Sequence, residues 1–217
     1  IVSIISKNIR EISGVKIDVQ TVKEHRCAIT LKGEGLNPAV SENDPQKEGL
    51  PLKPLNALDP LSEKTASVLR EFEKKVMETL KGSDSRAKGL LLRGISKLPT
   101  IPTFSEKYKL NAVCIAAYPM YKGLSKIMGM EIADAGETVD DEFRTLRETY
   151  EKYDFFFLHI KKTDSYGEDG NFAAKVKMIE DIDSRLWQLR KMDFSCIAVT
   201  GDHSTPSMMK GHSWHPV

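Results

Sequence analysis

Cysteine is scarce in this 217-residue chain, limited to Cys27, Cys114 and Cys196. The three are far apart, odd in number and form no CxxC pair, which argues against a disulfide framework. Buried thiols in a reducing, cytoplasmic setting are the expectation. Charge of one sign is equally lacking: 32 Lys and Arg against 31 Asp and Glu leave a formal charge of +1, so no global field favours nucleic acid or an anionic membrane. Any affinity for phosphate must then be local. No apolar run approaches the ~20 residues of a membrane span, and no signal-peptide pattern opens the chain. What remains is a soluble chain long enough for one large domain or two small ones.

Ile1, Ile4, Ile5, Ile9 and Ile12 recur at helical spacing with no capping residue before them, and the chain stops abruptly at Ser213-Trp214-His215-Pro216-Val217. Both ends read as cuts through a longer sequence. Val15, Ile17 and Val19, then Cys27, Ile29 and Leu31, alternate with polar residues and predict two strands, the second ended by Gly33-Glu34-Gly35. Five prolines with Asn, Asp and Ser make residues 36–60 a long ordered loop. Ser62 is the expected N-cap of a helix that buries Thr65, Val68, Leu69, Phe72, Val76 and Leu80 and closes at Gly82. This first part reads as a compact α+β unit.

From Ala87 the rhythm changes. Leu90-Leu91-Leu92, Ala112 to Ala116, Phe155 to Ile160 and Cys196 to Val199 are short continuous apolar runs, as in strands buried on both faces. Helical patterns lie between them at Tyr121 to Met128, Asp141 to Tyr150 and Lys175 to Arg190, the last with Val176, Ile179, Ile182, Leu186 and Leu189 inward. The alternation implies an α/β fold with a parallel sheet, in which ligands bind beyond the carboxyl ends of the strands.

Two of those strand ends carry chemistry. Phe155 to Ile160 runs into a polar loop, Lys161-Lys162-Thr163-Asp164-Ser165-Tyr166-Gly167-Glu168-Asp169-Gly170, and Cys196 to Val199 into Thr200-Gly201-Asp202-His203-Ser204-Thr205-Pro206, followed by His212 and His215. Carboxylates and imidazoles without thiolate suit Mn²⁺, Mg²⁺ or Zn²⁺. Blander roles compete: Asp164 or Asp169 as a helix cap, His159 as a sheet histidine, and Trp214 and Phe155 to Phe157 as packing. Convergence of the polar groups at one sheet edge favours the metal site.

The stretch Thr200 to Pro206, with Lys210, His212, Ser213 and Pro216-Val217 at their spacings, resembles the late metal-binding motif of archaeal-type cofactor-independent phosphoglycerate mutases, members of the alkaline phosphatase superfamily. Asp154 to Asp164, running into Gly170, Asn171-Phe172 and Lys175-Val176, resembles that family's preceding motif. Fainter echoes stand at Glu24-His25-Arg26, Asn43-Asp44-Pro45, Leu91-Leu92-Arg93-Gly94 and Cys114 to Met130 around Lys122-Gly123. The resemblance implies an alkaline-phosphatase-like, mostly parallel sheet flanked by helices over residues 87–217, and an inserted α+β substrate-binding domain over residues 1–86. It further implies two divalent ions, one held by Asp164 and His212, the other by Asp202 and His203. Glu168 stands where the family usually has histidine, with Asp169 as the alternative; His215 stays outside the ligand set. Arg26, Asp44, Arg93 and Lys122 are the expected contacts to 2- or 3-phosphoglycerate, interconverted through a phosphoserine.

The family's N-terminal segment, with an aspartate ligand and the nucleophilic serine, has no counterpart here, so this chain by itself is expected to be inactive. Two other readings remain open: a metal-dependent phosphatase or phosphodiesterase of the same superfamily, and a non-catalytic metal-binding fragment.

Overall fold

The computed structural model describes residues 1–23 and 26–217. They form two compact units, Ile1–Pro99 and Thr100–Val217. The first contains helix α1 (Val2–Asn8), strands β1 (Glu11–Ile12), β2 (Val15–Lys23) and β3 (Arg26–Lys32), and helix α2 (Glu63–Lys81). The three strands form an antiparallel sheet in the order β1-β2-β3. Ser13 and Gly14, at φ 49° and 76°, make the two-residue turn between Ile12 and Val15, where both positions need the left-handed region. The expected opening helix is shorter than its isoleucine pattern: Ile9 and Ile12 fall beyond its end, yet both still enter the core.

Val15, Ile17 and Val19 are buried as expected, because a strand's side chains alternate faces and this face meets α2. The whole predicted stripe of α2 is buried. Its start differs from expectation. Ser62 occupies the N-cap position, but its side chain makes no cap hydrogen bond to α2 and instead donates to the Ala39 carbonyl at 2.6 Å. The capping box belongs to Asp59, whose side chain accepts from Leu61 N–H at 2.7 Å at the head of a short 3-10 turn, Pro60–Ser62.

The loop over residues 36–60 is pinned by Asn43, which is fully buried. Its side-chain oxygen accepts from Leu92 N–H at 2.6 Å, and its amide donates to Glu73 Oε1 at 2.6 Å and the Leu90 carbonyl at 3.2 Å. Leu90-Leu91-Leu92 is therefore not the expected strand. The Leu92 N–H and the Leu90 and Leu92 carbonyls bond to one asparagine rather than to a neighbouring strand, and Leu91 faces solvent.

The second unit contains α3 (Phe104–Tyr108), β4 (Ala112–Ala116), α4 (Pro119–Ile127), β5 (Glu131–Ala133), α5 (Val139–Thr149), β6 (Phe155–His159), α6 (Lys162–Glu168) and α7 (Phe172–Leu186), with 3-10 turns at Tyr150–Lys152 and Leu189–Lys191. Its sheet is parallel, in the order β5-β4-β6. Every residue of the central β4 is buried. Val113 and Ile115 meet Phe143 and Leu146 of α5, whereas Cys114 and Ala116 meet Tyr121 of α4, so helices cover both faces. The α/β expectation holds in this coarse form for the second unit, and the first unit has its own antiparallel sheet.

Several finer expectations fail in this unit. Cys196 to Val199 is not a strand: Cys196, Ile197 and Val199 are exposed, and among the described residues no strand hydrogen-bonds to this run. An apolar run becomes a strand only where a neighbour completes its ladder. Of the three thiols only Cys114 is buried; Cys27 is half-buried. In α7, Ile182 and Leu186 pack on the core with Leu189 beyond them, but Val176 and Ile179 are exposed. Trp214 is fully exposed instead of packed. Among the described residues, no helix is long and apolar enough to cross a membrane.

One buried charge stands out. Glu142 of α5 is only 3% exposed and accepts from Ala117 N–H at 3.1 Å, just past the end of β4. Burial pushes its carboxyl up to about 7 against that hydrogen bond. A folded-state pKa above the unfolded one gives the native state extra protons at low pH, so this stability is present below the ordinary glutamate range and is lost as pH rises through 7. Glu142→Gln is expected to be more stable relative to wild type at pH 8 than at pH 5, by roughly 2.5 kcal/mol, in urea unfolding at both values. Asn43→Ala, which leaves the Leu92 N–H buried without a partner, is expected to lose about 1–3 kcal/mol in the same measurement.

Candidate metal centre

The polar stretch after β6 is mostly helix rather than loop: Lys162–Glu168 forms α6. Its seven residues hold Asp164 and Glu168 four positions apart, and therefore on one face. The cap of the following helix is Asn171, which accepts from Ala174 N–H at 3.1 Å, so Asp164 and Asp169 are not caps of α7.

The second motif supplies the imidazoles. An isolated antiparallel bridge joins Ser204 to Ser213, with Ser213 N–H donating to the Ser204 carbonyl at 3.0 Å. It draws together two histidines nine positions apart in sequence, and the His203 and His212 rings lie 3.8 Å apart between centroids. Asp164 Oδ1 is 3.8 Å from His203 Nδ1 and 3.8 Å from His212 Nε2, and His212 Nε2 is 3.5 Å from Glu168 Oε1. On the other side, His203 Nε2 lies 3.6 Å from Asp202 Oδ2. One donor atom from each of Asp164, His203 and His212 falls within 4.8 Å of the others. Two imidazoles and a carboxylate at that separation fit a divalent ion of the Mn²⁺ or Zn²⁺ kind, with Asp202 and Glu168 at either flank.

Asp164 is held from two sides. Lys161 donates to Oδ2 and the Thr205 hydroxyl to Oδ1. Burial works against its charge, but these two hydrogen bonds outweigh it and hold the carboxyl below the usual range. Asp202 is likewise held low despite burial, chiefly by the Tyr121 hydroxyl, which donates to Oδ2 at 2.8 Å. The tyrosine's own pKa rises through burial and this bond, so it remains a donor. His159, on the same strand face as Phe157, lies against the Tyr121 ring with centroids 3.4 Å apart. It is a half-buried sheet histidine, as expected, and burial lowers its pKa.

In the first unit, Asp44 is buried, accepts from Gln46 N–H at 2.7 Å and pairs with exposed Arg93 at 3.4 Å. Arg26 opens β3; Glu24 and His25 of that echo lie outside the described residues. Lys122 sits on α4, immediately after Tyr121. His215 hydrogen-bonds to Ser213 through Nδ1, and Asp169 follows the end of α6. Reasoning from sequence missed Tyr121, Lys161 and Thr205 as supports of the site. Each adjoins or lies within a quoted motif, but nothing in residue type reveals which carboxylate it reaches.

Gly167 explains how α6 comes so near the second motif. A Cβ there would lie 2.2 Å from the Thr205 carbonyl oxygen, a backbone atom that also accepts from Lys175 Nζ at 2.6 Å. Gly167→Ala is expected to push α6 away from Thr205, lowering stability by about 1–3 kcal/mol in urea unfolding. It should also weaken Mn²⁺ binding more than tenfold in calorimetric titration, since Asp164 moves with the helix.

A sequence-family profile described as the Metalloenzyme superfamily matches residues 29–217. The chain is 49% identical over 217 residues to a probable 2,3-bisphosphoglycerate-independent phosphoglycerate mutase of Thermosipho melanesiensis, covering 100% of this chain and 54% of the relative. The corresponding Thermotoga maritima protein is 47% identical with the same coverage. This chain thus spans about half the length of the curated relatives it matches. Among solved structures, a cofactor-independent phosphoglycerate mutase from Thermoplasma acidophilum superposes with a TM-score of 0.62 at 27% identity, over 93% of this chain and 56% of that one. A Pyrococcus horikoshii protein, 24% identical, shares the fold at a TM-score of 0.69, over 97% of this chain and 55% of its own. By descent and by fold, the chain belongs to the metalloenzyme superfamily and is homologous along its whole length to part of the 2,3-bisphosphoglycerate-independent phosphoglycerate mutases.

Proposed function

We propose that this chain supplies most of the metal ligands and part of the substrate grip of a cytoplasmic phosphoglycerate mutase that interconverts 3- and 2-phosphoglycerate without 2,3-bisphosphoglycerate. The observation that carries this reading is the meeting of Asp164, His203 and His212 within 4.8 Å of one another, on the two motifs that carry the resemblance. In this reading Asp164, Glu168 and His212 serve one divalent ion, and Asp202 and His203 a second. The close approach of His203 to Asp164 lets the two sets adjoin. Bound ions would lower the pKa of an attacking serine and neutralise phosphoryl oxygens. In this reading that serine is not among these 217 residues.

The chain's own residues bind and orient. Glu168, a carboxylate in an otherwise imidazole position, adds negative charge and favours harder ions such as Mn²⁺ or Mg²⁺ over Zn²⁺. The metal-binding, alkaline-phosphatase-like part expected at 87–217 is assigned to the Thr100–Val217 unit, and the substrate-binding insert expected at 1–86 to the Ile1–Pro99 unit, whose core takes in Leu92. In the insert, Asp44 engages one edge of the Arg93 guanidinium, leaving further N–H donors for a carboxylate or phosphate. Arg26 is a further cation of the insert for a small triply charged substrate, and Lys122 is a cation of the metal-binding unit.

In the full-length protein, Asp202→Ala and His212→Ala are each expected to abolish interconversion of 3- and 2-phosphoglycerate, followed by phosphorus NMR without added bisphosphoglycerate. Both should reduce bound metal while far-UV circular dichroism is retained. Wild-type turnover in either variant would refute the ligand assignment, and net release of inorganic phosphate by the wild type would favour the phosphatase reading instead.

A further inference from the structure

The loop that carries Asp202 and His203 has an unusual support. Residues 196–199, which lead into it, make no strand ladder with the sheet among the described residues. At Thr205 the loop is tied to α6 and α7 by the close approach of Gly167 and by Lys175. At Asp202 the tie to the sheet is a phenol: the Tyr121 hydroxyl donates to Oδ2 at 2.8 Å across 81 residues of sequence.

Tyr121 is built to hold its place. It is 8% exposed, packs on Cys114 and Ala116 of the central strand, and stacks on His159 with the ring planes 24° apart. Ala116 and His159 are themselves register partners in adjacent strands, so the ring is referenced to two strands at once. A buried tyrosine needs a partner for its hydroxyl, and here the partner is a half-exposed carboxylate rather than a backbone carbonyl. Asp202 Oδ1 accepts from its neighbour's backbone, His203 N–H, at 3.1 Å. Each carboxylate oxygen thus spends one lone pair on a fixed donor and keeps another free, the arrangement that orients a ligand without saturating it.

We infer that Tyr121 is a positioning residue for the metal centre, fixing the Asp202 carboxylate through its hydroxyl so that Asp202 and His203 present their donors together. This rests on the metal-centre reading above. Residues that orient a ligating carboxylate typically change metal affinity 10–100-fold when removed. Tyr121→Phe keeps the ring, its packing and its stack on His159, and removes only the oxygen.

The test is Mn²⁺ titration of the full-length protein, reading free Mn²⁺ by electron paramagnetic resonance. Tyr121→Phe is expected to bind Mn²⁺ about 10–100-fold more weakly with unchanged far-UV circular dichroism. The double variant Tyr121→Phe with Asp202→Asn should bind no more weakly than Asp202→Asn alone, an outcome that a purely structural role for the ring would not produce. Wild-type affinity in Tyr121→Phe, or an additive loss in the double variant, overturns the inference. If Tyr121→Phe does not fold, the tyrosine ultraviolet difference spectrum on Mn²⁺ addition decides. A perturbation present in wild type and absent in Asp202→Asn sustains the role, and no perturbation in wild type refutes it. Absence of Mn²⁺ uptake by the wild type would instead overturn the metal reading itself, and this role with it.

Discussion

The Asp164 carboxylate is where three separate stretches of chain must agree. It sits in the first turn of α6, largely buried, and burying an anion is unfavourable unless donors replace the lost water. Lys161 from the same turn and Thr205 from the second motif supply that replacement, with the His203 and His212 rings each 3.8 Å away. Much local geometry follows from this demand. Thr205 can reach Asp164 only because residue 167 has no side chain, and the histidines can face it only because Ser204 and Ser213 bridge. A cation at this point would compete with Lys161 for the same carboxylate, so one arrangement serves both folding and ligation.

The sheet sets the distance over which these pieces meet. In the parallel order β5-β4-β6 the carboxyl ends of β4 and β6 lie side by side, with Ala116 opposite His159. From β4 the chain turns past Ala117, held by the buried Glu142, into α4 and so to Tyr121 and Lys122. From β6 it turns into α6 and Asp164. The period-two alternation of strands puts Cys114, Ala116, Phe157 and Tyr121 in one cluster, with His159 against the tyrosine ring, and leaves Val113, Ile115, Phe156 and Leu158 to the other face. The candidate site is thus an outgrowth of one face and one end of a small sheet, the usual place for ligands in this class of fold.

What could be read in advance depended on whether the signal was local. The α2 stripe was legible because nineteen helical residues repeat the pattern often enough to define a face. The seven residues of α6 span two turns and contain almost no apolar side chain, so they look like loop. Leu90 to Leu92 and Cys196 to Val199 carry apolar composition suited to strands, but strand identity belongs to a pair of segments. Here Asn43 answers the backbone of the first, and the second remains outside the ladder. Ser62 stands at a cap position, yet its hydroxyl went to Ala39, a partner far away in sequence.

The sequence by itself determined the chemical inventory: carboxylates and imidazoles in two motifs, cations dispersed between them, no thiolate pair, and alternation into α/β elements. Those are properties of residue type and short spacing, which a chain carries whether or not it is folded. Only the tertiary structure decided that Asp164, His203 and His212 share one point, that Lys161 and Thr205 both donate to the first of them, and that Tyr121 reaches Asp202. Those relations join residues up to 81 positions apart. They exist because strand register, a side-chain-free helix turn and a single bridge bring distant groups within hydrogen-bonding or ligating range.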